Sequence, residues 1–278
     1  MPHSEERIHQ IPGADGLLHA VYHRAARESA TGIVFCDPFA EEKKCAHRVL
    51  VEAARALAAA DLNCLRFDYR GCGDSSGEFQ DFTPADWTDD ILAAAAYMRD
   101  DLGMTTLGVL GLRLGATMAI QAPQATELFD FAVLWEPVLN GEQYMKMNLR
   151  RSLIKGMMTQ GDSFVADEVR AEHTDARMLD FDGYRVSQET RDQIAAMDLL
   201  GSPPDFHNPV LLLNISSREQ VAAQFSELAQ TLPQARAEAV VQEPFWNRIG
   251  IVSSEPVATA TALWLAELQA HILTSAAT

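Results

Sequence analysis

The residues best placed to do chemistry lie in Leu107-Gly-Val-Leu-Gly-Leu-Arg-Leu-Gly-Ala-Thr-Met-Ala-Ile120. An apolar strand runs into Gly111, a sharp turn follows, and a small-residue helix begins at Leu114. Glycines at 111 and 115, two positions either side of 113, have the strand–turn–helix spacing of a nucleophile elbow. Such a turn holds its central residue in strained φ/ψ and aims that side chain above the sheet edge. The small residues beside it, Gly115 and Ala116, let strand and helix approach closely. Acyl transfer would need Ser, Cys or Asp at the centre. The residue there is Arg113, which cannot be deprotonated in a protein and is neither nucleophile nor base.

Three other residues fall near the same sheet edge. Cys36 ends a buried strand, where a neighbouring cation such as Arg113 would lower its thiol pKa and make it a second candidate nucleophile. The plainer reading is an inert small hydrophobe. Asp37 follows it, and Glu136 ends another strand. Gly73-Asp-Ser75-Ser-Gly77 matches G-x-S-x-G literally, but no apolar helix begins after it, so Ser75 reads as a turn hydrogen-bonder.

The elements that must position these residues alternate. Arg7–Pro12 and Leu17–His23 flank Gly13-Ala-Asp-Gly16 as a hairpin. Ile33–Cys36 is a short buried strand, followed by a helix with Leu50, Ala53, Ala54 and Leu57 on one face. Leu62–Asp68 reads as a strand, Pro84–Asp101 as a helix, and Phe131–Pro137 as a strand. Val210–Ile215 and Ala237–Gln242 are further strands, Glu219–Leu232 a helix, and a final helix runs from about Pro256 to Thr274. Strands alternating with helices imply an α/β chain with a mostly parallel twisted sheet covered on both faces. The alternation stops over residues 139–205, rich in Met, Arg, Gln and Asp, which reads as an inserted helical cap between core segments 1–138 and 206–278. Met145, Met147, Met157 and Met158 in that cap would suit an acyl chain or simply pack its core. Open α/β sheets bind ligands beyond the carboxyl ends of their strands. Cys36–Ala40, Asp68–Gly77, Leu112–Leu114, Glu136 and Asn214–Ser217 are therefore the places to look for a site.

Composition narrows the class. The chain has 278 residues, 47% of them hydrophobic, and a formal charge of −17. That charge argues against nucleic acid or an anionic membrane as partner, since a phosphate backbone needs stripes of Lys and Arg. The start is polar, without a signal-peptide core, and no apolar run approaches the roughly 20 residues of a membrane span. Cys36, Cys45, Cys64 and Cys72 show no metal or disulfide spacing. A cytoplasmic protein without a metal or cofactor is the simplest expectation.

Two levels of resemblance follow from motifs. Asp68-x-Arg70-Gly71-x-Gly73-x-Ser75-x-Gly77 resembles the signature loop of the serine-aminopeptidase-like branch of the α/β-hydrolase superfamily. Pro38-Phe-Ala-Glu-Glu42, Gly111-Leu-Arg-x-Gly115, Leu134-Trp-Glu-Pro-Val138 with Asn140-Gly141, and Pro244-Phe-Trp246 together resemble the hydrolases associated with the exosortase A system, the second type in particular. The resemblance implies the α/β-hydrolase fold. It also implies a bacterial setting of surface-polysaccharide and protein-sorting functions, in company with an acyl-activating enzyme and an acyl carrier protein.

A hydrolase of that fold needs a nucleophile, an acid and a histidine in the order Ser…Asp/Glu…His. The nucleophile position holds Arg113. The strand ending near Ile215 is followed by no Asp, which leaves Glu136 at the alternative acid position. The loop Glu243–Ile249 carries no histidine, and His47, His173, His207 and His271 stand elsewhere. What remains is a helix N-terminus with its positive dipole end, and the N–H groups of Leu114 and Phe39 at the oxyanion-donor positions. Arg113 adds a guanidinium suited to carboxylate or phosphate. Two roles are open for Arg113: clamp for a small acyl- or carboxylate-bearing ligand, or internal plug paired with Asp37 or Glu136. A hydrolase or acyltransferase of nonstandard mechanism, using Cys36 or Arg113, is the alternative function.

Overall fold

In the computed structural model, which describes residues 5–160, 178–248 and 250–275, the strands form one large sheet. β1 (Glu6–Gly13) and β2 (Gly16–His23) make the hairpin expected from Gly13–Gly16. β3 (Thr31–Cys36), α1 (Glu41–Ala59), β4 (Asn63–Phe67), α2 (Pro84–Asp100), β5 (Thr106–Leu112), α3 (Leu114–Gln121), the single turn α4 (Ala125–Leu128) and β6 (Phe131–Trp135) then alternate. After an insertion come β9 (Val210–Ser216), α7 (Ala223–Thr231), β10 (Ala235–Val241) and α8 (Glu255–Ser275). The strand order is β1-β2-β4-β3-β5-β6-β9-β10, parallel from β4 onward, with β2 antiparallel to β4.

Side-chain periodicity explains the layering. α1 buries Val49, Leu50, Ala53, Ala54 and Leu57 against one sheet face, where Trp264 and Leu265 of α8 join them. The other face is covered by Ile91 and Met98 of α2, Met118 of α3 and Leu228 of α7. α2 starts where Thr83 N donates to Asp86 Oδ2 at 2.8 Å and Pro84 occupies the first turn, where its missing N–H costs nothing. Connections leave the neighbours β3 and β5 toward opposite ends of the sheet. A crevice opens between their carboxyl ends, the usual ligand position in such sheets.

The insertion departs from the helical cap expected. It contains α5 (Gly141–Gln160) and α6 (Gln188–Ala195), and between them an antiparallel pair, β7 (Met178–Phe181) and β8 (Tyr184–Ser187). Asp182 and Gly183 turn the hairpin at φ 57° and 91°, and Gly183 N donates to Asp180 Oδ1 at 2.6 Å. Two consecutive positive φ values are what an Asp-Gly turn supplies. The helix expected from Glu219 begins only at Ala223, because Asn214 Oδ1 takes the Ala222 N–H at 2.9 Å and holds the preceding loop off helix geometry.

Candidate active site

The elbow is built as its glycines require. Arg113 has φ 55° and ψ −122°, between β5 and α3. A Cβ on Gly111 would stand 2.3 Å from Ala116 Cα, and one on Gly115 2.3 Å from Asp37 O and 2.4 Å from Cys36 O. Only glycine lets α3 lie this close to its own strand and to the end of β3. Ala40, one residue before α1, has nearly the same strained conformation, φ 51° and ψ −125°. Two strained turns thus stand side by side at the crevice, each costing on the order of 1–3 kcal/mol.

Arg113 does not pair with either carboxylate expected of it. Asp37 is held by Lys43 Nζ at 2.7 Å, and Lys43 also bonds Asp68. Glu136, at φ 46°, turns its carboxylate toward β9, where Oε2 accepts from Ile215 N at 2.6 Å and Asn214 Nδ2 at 3.0 Å. Only its backbone carbonyl meets Arg113, whose Nη1 donates to it at 3.2 Å. The carboxylate facing Arg113 is Glu42, with Oε1 3.6 Å from Nε. The guanidinium also lies over two rings, Trp246 at 5.1 Å and Tyr144 at 5.4 Å. Trp246 belongs to the 3₁₀ turn Phe245–Asn247 after β10, the loop where a triad histidine would stand. From α5, Arg151 Nη2 reaches Glu42 Oε1 at 3.8 Å while its Nη1 donates to Asn247.

Burial governs the electrostatics. It raises the Glu42 carboxyl above its ordinary range, opposed by Arg113 through its charge and a long contact, by the Tyr144 hydrogen bond and by the charge of Arg151. It raises Glu136 likewise, opposed by the hydrogen bonds from Asn214 and Ile215 and by the charge of Arg113. Cys36 is enclosed, and desolvation together with the neighbouring Asp37 pushes its thiol up. Burial thus works against the activation expected from Arg113. Ser75 braces the turn, its hydroxyl donating to Asp68 O at 2.6 Å and accepting from His19 N at 2.8 Å. Arg70 is locked on Asp90 at 2.6 Å beneath the same loop.

Two small cavities meet at this crevice. One is polar, and its lining includes Phe39, Glu41, Glu42, Arg151, Phe181 and Asp182. The other is more apolar and includes Phe39, Tyr69, Phe79, Trp87, Leu114 and Met118. Phe39 and Ala40 border both, and each leaves space on the scale of a single water molecule. A wider groove along Gln121–Glu127 and Ser202–Asp205 lies at the far end of α3, away from every group with chemistry. Phe39 and Leu114 both line the apolar cavity, whereas Asp37 faces Lys43. Of the cap methionines, Met145 is buried and Met147 exposed. The side chains of Met157, Met158 and His271, and all of His173, lie outside the described residues. Sequence reasoning missed Glu42, Tyr144, Arg151 and Trp246 as neighbours of the elbow. Glu42 and Trp246 stood in recognised motif stretches without a role, and nothing local marked the other two.

A scan of protein-family models and a search of curated proteins found no match. Solved structures do resemble the chain over most of its length. Est1E from Butyrivibrio proteoclasticus, solved with ferulic acid bound, superimposes with a TM-score of 0.69 at 16% identity, covering 94% of this chain and 99% of its own. For a proline iminopeptidase of Mycobacterium smegmatis the values are 0.63, 13%, 94% and 98%. For mouse α/β-hydrolase domain-containing protein 10 they are 0.55, 18%, 84% and 88%.

Proposed function

From the premise that the chain has the α/β-hydrolase fold, we propose that it holds a small acyl- or carboxylate-bearing molecule at Arg113 without a Ser-His-Asp triad. One observation carries the reading: the elbow, where the fold presents its reacting group, presents a guanidinium flanked by Tyr144 and Trp246. A cation between two rings is kept dry and oriented, which strengthens its attraction for a carboxylate. The first-turn amides of α3, among them Leu114 N–H, add donors without intrahelical acceptors. The apolar cavity beside them would take the first carbons of an acyl chain once Phe39 and Phe79 rotate outward.

The motif resemblance supports the wider setting proposed here. The protein works in the bacterial cytoplasm beside an acyl-activating enzyme and an acyl carrier protein, in exosortase-linked surface-polysaccharide metabolism. Among the described residues no helix is long and apolar enough to cross a membrane. A second reading, an acyl (thio)ester hydrolase or acyltransferase of nonstandard mechanism, draws support from neighbours such as Est1E, whose structure holds ferulic acid, an aromatic carboxylate. Burial of Cys36 favours a form of it without a thiol nucleophile.

The test is calorimetric titration of sodium octanoate into the wild-type chain and Arg113→Ala. Loss of one charge-assisted contact of roughly 1.5–3 kcal/mol weakens binding by about ten- to a hundredfold. Equal affinity in the two proteins, or none in either, removes the clamp.

A further inference from the structure

Glu42 stands in the first turn of α1, 2% exposed, and its two carboxylate oxygens are treated differently. Oε2 accepts from the Tyr144 hydroxyl at 2.9 Å, which fixes the plane of the group. Oε1 is buried and ion-paired with Arg113 Nε at 3.6 Å and Arg151 Nη2 at 3.8 Å, both longer than a hydrogen bond, and among the described residues it has no closer donor. Arg113 Nε is also buried without an acceptor. An unmade buried bond costs about 1–3 kcal/mol. A hydroxyl about 2.8 Å from each would accept from Nε and donate to Oε1, satisfying both.

We infer that Glu42 is the acid–base group of a one-step acyl-ester or acyl-thioester hydrolysis, its Oε1 taking the proton of a water that attacks the acyl carbonyl at the elbow. The inference rests on the acyl site proposed above and goes beyond it, since that reading requires binding alone. Glu42 N donates to Phe39 O at 3.1 Å, so base and oxyanion donor belong to one turn. Phe39 and Ala40 border both the cleft that holds Glu42 and the apolar cavity that holds Leu114. A carbonyl resting on the Phe39 and Leu114 amides would have its acyl chain on one side of this turn and Glu42 on the other.

The step balances without a cofactor. The water oxygen bonds to the carbonyl carbon as its proton passes to Oε1. The carbonyl π pair becomes an oxyanion held by the two N–H groups, near the charge of Arg113. Collapse re-forms the carbonyl and breaks the bond to the leaving oxygen or sulfur. The leaving alkoxide or thiolate recovers the proton from Glu42, which returns to the carboxylate. The products are a carboxylic acid and an alcohol or thiol. The titratable and charged groups around Glu42 are Arg113 from the elbow, Tyr144 and Arg151 from α5, and Glu41 and Asp182, which line the same cleft from α1 and the β7–β8 turn; burial outweighs the two arginines and Tyr144 in raising its carboxyl. A raised carboxylate is the better base near neutral pH.

The experiment follows p-nitrophenyl butyrate hydrolysis by the full chain from acid to alkaline pH, in wild type, Glu42→Gln and Glu42→Asp, with octanoate affinity titrated on the same preparations. Expected are turnover without an acyl-enzyme burst, and kcat/KM rising with pH along a limb above the ordinary carboxylate range. Glu42→Gln should lose about 10²- to 10³-fold in kcat while retaining octanoate binding, and Glu42→Asp should lose less. Turnover unchanged in Glu42→Gln, or a stoichiometric acyl adduct by intact mass, overturns the inference. So does wild-type turnover no faster than buffer while octanoate still binds through Arg113, an outcome that leaves the binding reading standing. Octanoate binding indifferent to Arg113→Ala takes both away. Should Glu42→Gln not fold, the wild-type pH limb and Glu42→Asp decide.

Discussion

Trp246 stands in the loop where a triad histidine would be and packs its ring on the Arg113 guanidinium. It is 4% exposed, and its ring lies 5.1 Å from the guanidinium carbon. Trp246→Ala should cost about 3–5 kcal/mol, the usual range for emptying a buried aromatic site, and a urea unfolding curve reads this directly. Trp246→Phe, which keeps a ring, should cost less than half as much. A loss below 1 kcal/mol for Trp246→Ala would mean that the ring is not packed on the elbow. The position of Arg113 was legible because Gly111 and Gly115 bracket it; its partner was not. Asp37 and Glu136 are nearer the strand ends in sequence, but Lys43 occupies one and the β9 backbone the other. Glu42 reaches the elbow only because the chain turns at Ala40 with positive φ, a conformation alanine does not announce.

At the scale of elements, the strand–turn–helix unit is held by contacts that tolerate no side chain. In Gly115→Ala the added Cβ would lie 2.3 Å from a carbonyl of the β3 end, so α3 must move away from β3. Backbone cannot yield as a flexible side chain does. The expected cost is at least about 2 kcal/mol, seen as a lower denaturation midpoint together with weakened octanoate binding. A midpoint equal to wild type would show that α3 sits less tightly than described. Long elements were readable because their periods repeat: the α1 stripe at 50, 53, 54 and 57 is buried as expected. The β7–β8 pair was not, since strands of four residues complete too few alternations to stand out among helical neighbours. Its Asp182-Gly183 turn was the available clue. The late start of α7 depends on one side chain, Asn214, from a strand eight residues earlier.

The whole molecule carries a pH dependence that begins far from the elbow. His23 is enclosed between β1 and β4; its Nε2 accepts from Arg66 Nε at 3.0 Å, and burial beside that cation pulls its pKa down to about 4 from 6.5. An unfolded histidine takes a proton near the upper value and the folded one only near the lower. Between them the unfolded state binds more protons, so stability falls as pH falls, by about 3 kcal/mol in full. The raised carboxyls of Glu42 and Glu136 act in the opposite sense. The informative measurement is thus the difference between wild type and His23→Gln in urea midpoints at neutral pH and near pH 5. A smaller acid loss in the variant is expected; parallel losses would discount His23. The parallel sheet with helices on both faces was legible in the alternation of apolar runs and helical stretches, whereas the order of its strands is set by tertiary packing that no local pattern records. The grouping of side chains around the elbow has a consequence of another kind. Residues 42, 113, 144 and 246, which meet there, are drawn from the first, middle and last parts of the chain. A molecule seated there would act as a removable crosslink, fastening distant stretches of polypeptide with a strength set by its own concentration.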